Sequence, residues 1–451
     1  MSTPKTVSFY TLGCKLNFSE TSAIGQSFKD NGYHFLPFEQ GADIVVINTC
    51  TVTDMADKKN RKVIRRAREI NPQSMVVVVG CYAQLKPEEI ASMEGVDLVL
   101  GAGEKFRILH YIDNLSKTDG KAQIVIGEVE DIGSFHDAYS FGDRTRSFLK
   151  IQDGCDYSCT FCTIPKARGK SRSGTIEEVV NNAKNIAAKG IREIVLTGVN
   201  IGDFGNSTAV IDGNAPKEKH AFSQLVKALD EVENIERFRI SSIEPNLLTE
   251  DIIEFISTSK RFVPHFHIPL QSGSDTILKA MKRRYLTALY RSRIDFIRQT
   301  IPHACIGVDV IVGFPGESEE LFQETFEFLN GLDISYLHVF SYSERQGTPA
   351  AIMDEKVPPE VKKARHDMLF NLSLKKQRLF YESHLGQTRT VLVEKSKNPE
   401  LLTGFTDNYI KVSFPYLEGL RNQLVDFKLG SINEQFLVEG ELNYRPNVHL
   451  N

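Results

Sequence analysis

The chain predicts an α/β protein in three parts. These are an N-terminal doubly wound parallel sheet, a central partial (βα)6 TIM-like barrel and a small C-terminal all-β, OB-like barrel. Three observations predict this. Apolar runs of buried-strand length alternate with amphipathic helix-length stretches over residues 5–115. A second alternation from Phe148 to Tyr342 holds six strand–helix units, too few for an eight-stranded barrel. The last ~65 residues change to short strands and turns.

In the first part, strands are predicted at Val7–Leu12, Ile44–Ile47, Met75–Val79 and Val96–Leu100, with helices such as Phe18–Asp30 and Thr53–Ile70 between them. Lys117-Thr118-Asp119-Gly120 is a turn cluster that opens a linker with one strand at Ala122–Val129. The barrel strands are expected at Phe148–Gln152, Glu193–Thr197, Arg237–Ser241, His265–Leu270, Cys305–Gly313 and Tyr336–Ser341. Helices include Thr175–Lys189, Ala221–Glu233 and Ser318–Asn330, and Gly205–Lys219 reads as a surface insertion. A long helix, Pro359–Leu385, leads to strands at Gly386–Lys395, Thr403–Phe414, Leu424–Leu429 and Gln435–Glu441. The expected division is 3–116, a linker at 117–140, a core at 141–372 and a C-terminal helix and barrel at 373–451.

At 451 residues, 41% hydrophobic and 25% charged, the composition excludes a disordered chain, a collagen-like fibre and a disulfide scaffold. No apolar run has the ~18 residues of a membrane helix, and the first residues lack a signal-peptide core. A cytoplasmic protein without a membrane partner is expected. A net charge of −4 does not announce a nucleic-acid binder, so such a role must rest on local basic patches.

Seven cysteines in such a chain favour metal or redox chemistry over disulfides. Cys155, Cys159 and Cys162 lie within eight residues, in a loop after the first barrel strand. Structural zinc takes four protein ligands, whereas a cubane iron–sulfur cluster on three cysteines keeps one iron open. That iron can chelate an amine and a carboxylate, and S-adenosylmethionine carries both. The alternative is a zinc loop completed by a distant residue.

Cys14, Cys50 and Cys81 are far apart in sequence, but each sits just past the carboxyl end of a predicted parallel strand. Ligands of open α/β sheets bind outside those ends, and neighbouring strands are ~4.8 Å apart. A second three-cysteine cluster is the expectation. The alternative is three buried small side chains. Cys305 opens a strand and reads as packing.

Residues at the strand ends of a barrel face its active site. Gly198, Asn200, Ser241, His267, Gln271 and Gly313, with Phe161 before the third loop cysteine, form the candidate cofactor-binding set. The stretch Asp57–Arg68 places Lys58, Arg61, Lys62, Arg65 and Arg68 on one helical face, suited to phosphate contact, the alternative being a solvated charged helix. Lys166, Arg168, Lys170 and Arg172 read as a second basic patch.

The loop spacing resembles the radical S-adenosylmethionine superfamily, in which an aromatic residue precedes the third cysteine, as Phe161 does. The whole chain is similar to the methylthiotransferases within it. The motifs that carry the resemblance are Thr11–Asn17 (TLGCKLN), Asn48–Thr53 (NTCTVT), Gly80–Gln84 (GCYAQ), Lys150–Cys155 (KIQDGC), Ile164–Gly169 (IPKARG), Ile268–Asp275 (IPLQSGSD) and Ser343–Ala350 (SERQGTPA). Leu196–Gly202 (LTGVNIG) and Gly169–Ser173 resemble the branch acting on threonylcarbamoyladenosine in tRNA. The isopentenyladenosine and ribosomal-protein branches are the alternatives. One departure is that Thr197-Gly198-Val199 stands where the superfamily has Gly-Gly-Glu.

The resemblance implies two 4Fe-4S clusters, one on Cys155, Cys159 and Cys162 and an auxiliary one on Cys14, Cys50 and Cys81. The first would bind S-adenosylmethionine and yield a 5′-deoxyadenosyl radical that takes the hydrogen at C2 of an adenine, a bond closed to acid–base catalysis. The second would present sulfur, and another S-adenosylmethionine the methyl group. The partners implied are tRNA, a reducing electron donor and a sulfur donor. The C-terminal barrel would be a TRAM domain that grips tRNA, with Tyr409, Phe414 and Tyr416 as stacking candidates. A non-catalytic iron–sulfur RNA-binding sensor is the alternative of another class.

Overall fold

The computed structural model describes residues 5–51, 53–113, 115, 122–129, 132–140, 145–216, 218 and 220–443. The predicted turn cluster Lys117–Gly120 lies outside the described residues, as do Lys217 and Lys219 of the expected insertion.

The first sheet is wholly parallel. Its strands are β1 (Thr6–Thr11), β2 (His34–Phe35), β3 (Ile44–Thr49), β4 (Met75–Gly80), β5 (Leu98–Leu100) and β6 (Gln123–Val125), in the order β2-β1-β3-β4-β5-β6. β3 and β4 are covered on both faces, which explains their unbroken runs of β-branched residues. The chain reverses its winding between β1 and β3, and the crevice at such a point receives ligands. Two features differ from the expectation. The short edge strand β2 has no sequence signal at two residues. The strand expected within the linker instead extends this sheet as β6.

Helix α1 (Lys15–Asp30) follows β1, and helix α2 (Asp54–Ile70) follows β3. Thr53 starts α2 by accepting the Ala56 N–H at 3.2 Å.

β7 (Ala138–Tyr139) lies antiparallel on β8 (Arg146–Lys150) at the rim of the second sheet. The short pair β9 (Gln152–Asp153) and β10 (Arg172–Ser173) brackets the loop that carries Cys155, Cys159 and Cys162. β11 (Glu193–Thr197) and β12 (Arg237–Ile240) continue the parallel sheet from β8. Parallel bridges, Phe238 to Phe262 and Ser242 to His267, join it to β13 (His265–His267), β14 (Cys305–Val312) and β15 (Tyr336–Ser341). The six parallel strands form an open barrel, because β15 pairs only with β14 among the described strands.

Alternation sorts the strand residues. Ile194, Leu196, Phe238, Ile240, Phe266, Val308 and Leu337 pack outward in the main core with the helices. Their neighbours Glu193, Arg239, His267, Asp309 and His338 therefore face the lumen. A lumen lined by charge and imidazole is not a packing solution, and it marks the working face of the barrel.

A helix, Pro359–Glu382, leads to a closed five-stranded barrel of β16 (Thr388–Lys395), β17 (Leu401–Thr406), β18 (Lys411–Pro415), β19 (Leu424–Ile432) and β20 (Val438–Asn443). The single strand expected at Thr403–Phe414 is two strands. Asp407-Asn408-Tyr409 turns between them, with Tyr409 at φ 68° and the Asn408 side chain bonded to Thr406 Oγ1. The turn docks under the larger barrel. Arg237 donates to the Phe405 and Thr390 carbonyls, and the Tyr409 ring lies 4.2 Å from that of His265. Phe414 is buried in the small barrel's core, so neither it nor Tyr409 is a free stacking platform, whereas Tyr416 is 55% exposed. Cys305 is buried at the junction of the two barrels.

Candidate functional site

Register carries the N-terminal cysteines to one place. Thr11 pairs with Asn48, and Thr49 with Gly80, so Cys14, Cys50 and Cys81 leave three adjacent strands at one edge. Two glycines make the approach close. A Cβ on Gly13 (φ +103°) would lie 2.6 Å from Cys50 Cβ, and one on Gly80 (φ +100°) would lie 2.5 Å from Asn48 Oδ1. The Asn17 amide ties the edge together by donating to the Leu12 carbonyl at 2.8 Å and the Thr49 carbonyl at 3.1 Å. Cys14 keeps a water-accessible face, yet enclosure by the surrounding chain pushes its thiol up, with Arg168 pulling the other way.

The sequence places that arginine on a surface patch. Instead Arg168 and Arg172 are buried, and of the four residues only Lys166 and Lys170 are exposed. Arg168 donates to Asn17 Oδ1 at 2.6 Å and pairs with Glu20 and Asp153, each at 3.0 Å. Glu20 also meets Lys105 at 2.7 Å and Lys150 at 3.1 Å, while Asp153 meets Lys150 at 2.9 Å and Arg172 at 3.0 Å. Two carboxylates thus hold four cations beneath the cysteines, and the network joins α1 to the barrel. Burial pushes the Glu20 carboxyl up, but Arg168, Lys105 and Lys150 together hold it well below its ordinary value.

Glu20→Gln should therefore leave uncompensated buried cations and cost about 3–5 kcal/mol, read by chemical denaturation. A depressed carboxyl stabilises the fold above its unfolded pKa and loses that contribution as pH falls. The gap between wild type and variant should accordingly narrow below about pH 4. A gap that ignores pH would mean that the substitution acts through packing.

The second set sits in the β9–β10 loop at the carboxyl end of the larger barrel. The Tyr157 N–H donates to Cys155 Sγ and the Ile164 N–H to Cys162 Sγ, both at 3.4 Å. Arg283 Nη1 donates to Cys159 Sγ at 3.1 Å and is itself held by Glu244. Burial pushes the Cys155 thiol up to about 12 and that of Cys162 up to about 11. Thiolates in such a place are stabilised by a metal. Three sulfurs with N–H donors behind them fit an iron–sulfur cluster.

A cavity of 260 Å³ opens beside Cys162, the third loop cysteine. Phe161, Cys162, Thr163 and Ile164 of the loop line one side, and Gln271, Asp309 and Ile311 line the barrel side. Thr53, three residues past Cys50, closes it from the N-terminal sheet. Arg345 of the SERQGTPA segment fixes this approach by donating to Asp57 at 2.7 Å, while Thr51 donates to the other oxygen of that carboxylate, also at 2.7 Å.

The candidate cofactor set is spread around this cavity. Phe161 and Gln271 line it, and His267 contacts it through Asp309 at 2.8 Å. Gly198 and Asn200 form the turn after β11, where Gln152 Oε1 accepts the Val199 N–H at 3.0 Å and the Asn200 N–H at 2.8 Å. A Cβ on Gly198 would meet the Gln152 carbonyl at 2.8 Å. The buried Asn200 amide lies beside the Tyr157 hydroxyl. A buried amide beside the cysteine loop suits a polar cofactor. Ser241 is buried in the lumen just past β12. Gly313 differs. The Lys362 side chain covers it so closely that a Cβ there would lie 2.3 Å from Lys362 Cγ, and it does not line the cavity.

Sequence reasoning missed Arg283, Glu20, Asn17 and Lys15. Lys15 opens α1 next to Cys14, and its ammonium is pushed down to about 8 by burial and by Arg146 and Arg239. No signal in the sequence pairs Arg283 with a cysteine 124 residues away.

Comparison with known proteins agrees with this geometry. A family model described as uncharacterised protein family UPF0004 matches residues 6–101, and the radical SAM superfamily matches residues 149–329. The chain is 42% identical to the threonylcarbamoyladenosine tRNA methylthiotransferase MtaB of Bacillus subtilis, over 94% of this chain and 93% of that protein. It is 33% identical to the tRNA-2-methylthio-N(6)-dimethylallyladenosine synthase of Methylacidiphilum infernorum, over 93% and 91%. Among solved structures, the radical S-adenosylmethionine methyltransferase TsrM of Kitasatospora setae, with cobalamin and a [4Fe-4S] cluster, shares the fold at a TM-score of 0.54 and 16% identity, over 78% of this chain and 77% of that one. An N-terminal three-cysteine sheet facing a three-cysteine open barrel, in a chain this similar to such relatives, places the protein in the radical S-adenosylmethionine methylthiotransferase family.

Proposed function

We propose that the protein is a tRNA methylthiotransferase that adds sulfur and methyl at C2 of N6-threonylcarbamoyladenosine beside the anticodon. One observation carries the reading. A single cavity is lined by Phe161, Cys162, Thr163 and Ile164 at the end of the cysteine loop and by Thr53, which lies three residues past Cys50. A chemistry that opens a C–H bond and a chemistry that delivers sulfur must act on the same carbon, and the cavity supplies one place for both. The substrate assignment rests on the LTGVNIG segment, on Gly169–Ser173 and on the similarity to relatives named for threonylcarbamoyladenosine.

Two 4Fe-4S clusters are part of the proposal, one on each cysteine set. With S-adenosylmethionine bound, such a pair supplies a carbon-centred radical and a sulfur source. The chain's own residues do the rest. Arg283 fixes Cys159 and screens its sulfur charge. Gln152 orders the turn that presents Asn200. Gln271, at φ 71°, turns into the cavity beside Asp309. Arg168 holds positive charge beneath Cys14 and Cys81. An electron donor and a sulfur donor must reach the site from outside.

The basic face of α2 is the proposed tRNA contact. Lys58, Lys59, Lys62 and Arg65 are exposed and have no ion-pair partner among the described residues, whereas Arg61 pairs with Glu89 and Arg66 with Glu39. Lys62→Glu combined with Arg65→Glu should weaken tRNA binding on the order of tenfold and flatten its salt dependence. An affinity equal to that of wild type at low salt would assign the face to solvent.

The function is tested by mass spectrometry of tRNA nucleosides from cells that lack the protein. The 2-methylthio derivative of threonylcarbamoyladenosine should vanish, with its unthiolated precursor accumulating. An unchanged nucleoside profile would refute the assignment.

A further inference from the structure

We propose that Lys15, backed by Arg146 and Arg239, is the receptor for the carboxylate of the threonylcarbamoyl group, and so sets substrate choice. The inference rests on the function proposed above and deepens it.

Lys15 lies in the first turn of α1 beside Cys14, and the charged groups it faces are Arg146, Arg239, Asp309 and Cys14. It is half-buried, and its ammonium makes no hydrogen bond or ion pair among the described residues. The charge around it does not balance. Glu193 is shared by Arg239 at 3.0 Å and by Arg146 and Arg237, each at 3.8 Å. Glu394 takes Arg146 at 2.9 Å. Asp309 already accepts from His267 at 2.8 Å and His338 at 3.2 Å. Asp407, which also acts on Arg237, is paired with Arg389 at 2.5 Å. Lys15 and four arginines thus stand against four carboxylates, and Asp309, which lines the cavity, is engaged elsewhere.

A half-buried ammonium crowded by two arginines, with no ion-pair partner among the described residues, is a ready receptor for an anion. The place fits a substituent on the adenine. Lys15 adjoins Cys14, and Asp309 lines the cavity with Cys162. In adenine, C2 and the N6 substituent flank N1, so a ring with C2 turned to the cysteines carries its N6 group along the cavity wall. Threonylcarbamoyl bears a carboxylate, a hydroxyl and a urea, and the His267–Asp309–His338 cluster offers polar partners for the last two. An isopentenyl group would leave the ammonium desolvated and unpaired, and such polar mismatches discriminate strongly.

The test is equilibrium binding of the reconstituted protein to two tRNAs. One carries threonylcarbamoyladenosine. The other carries the same urea with the carboxylate replaced by a methyl group, and both keep every phosphate. Wild type should bind the first roughly 10–100-fold tighter. Lys15→Met should bring the two affinities together by weakening only the first, and Lys15→Arg should restore the preference. A Lys15→Met variant that keeps the preference, or that weakens both tRNAs equally, would overturn the inference and leave the proposed function standing. Methylthiolation of isopentenyladenosine tRNA alone by wild type would overturn the function and the inference with it. A preference lost to phosphate or S-adenosylmethionine contacts is separable, because those groups are common to both arms.

Discussion

Cys159→Ala should abolish formation of 5′-deoxyadenosine from S-adenosylmethionine. Cys159 is one of three thiols in the loop and the one that receives the Arg283 guanidinium at 3.1 Å. Supporting residues of a metal site cost 10- to 100-fold when removed, so loss of a ligand should exceed roughly 100-fold. The assay is anaerobic, with a chemical reductant, and quantifies 5′-deoxyadenosine by chromatography. The variant should still fold. Cys159 lies in a loop, while the barrel core is built from residues such as Leu196, Phe238 and Val308 on the strands. Cleavage at the wild-type rate would remove this loop from the chemistry.

Cys50→Ala should separate the two chemistries. Cys50 follows β3 in the N-terminal sheet, whose hydrophobic clusters are separate from that of the larger barrel. Damage there should leave the barrel folded and its reductive cleavage intact. Iron should fall from ~8 to ~4 per chain after reconstitution, one cubane cluster being lost. With threonylcarbamoylated tRNA, the variant should release 5′-deoxyadenosine without forming the 2-methylthio nucleoside. Normal methylthiolation would mean that Cys14, Cys50 and Cys81 are packing residues.

Much of the architecture was legible because it rests on local patterns. Buried parallel strands announce themselves by runs such as Met75–Val79, and three cysteines at strand ends share a place once the strands are neighbours. Spacing alone put the three loop cysteines in one loop, which is where the structure has them. What was not legible depended on partners distant in sequence. Arg168 and Arg172 read as a surface patch because Glu20, the acid that helps to bury them, lies 148 residues from Arg168. Arg283 carries no local mark, since its role is conferred by Cys159. Lys15 sits inside the quoted TLGCKLN motif, but its significance lies in Arg146, Arg239 and Asp309, which only the fold brings near. The hairpin at residues 401–415 was missed because apolar residues recur on both sides of Asp407-Asn408, and the turn signal within the run was overridden by that pattern. Phe414 then fell to the core, and Tyr409 to the junction between barrels.

The account's central claim is that both cysteine sets act on one carbon in one cavity. The direct measurement uses tRNA whose threonylcarbamoyladenosine carries deuterium at C2, incubated anaerobically with the reconstituted protein, reductant and S-adenosylmethionine. The account predicts deuterium in the 5′-deoxyadenosine, in step with appearance of the 2-methylthio nucleoside. Formation of that nucleoside with no deuterium in 5′-deoxyadenosine would contradict it.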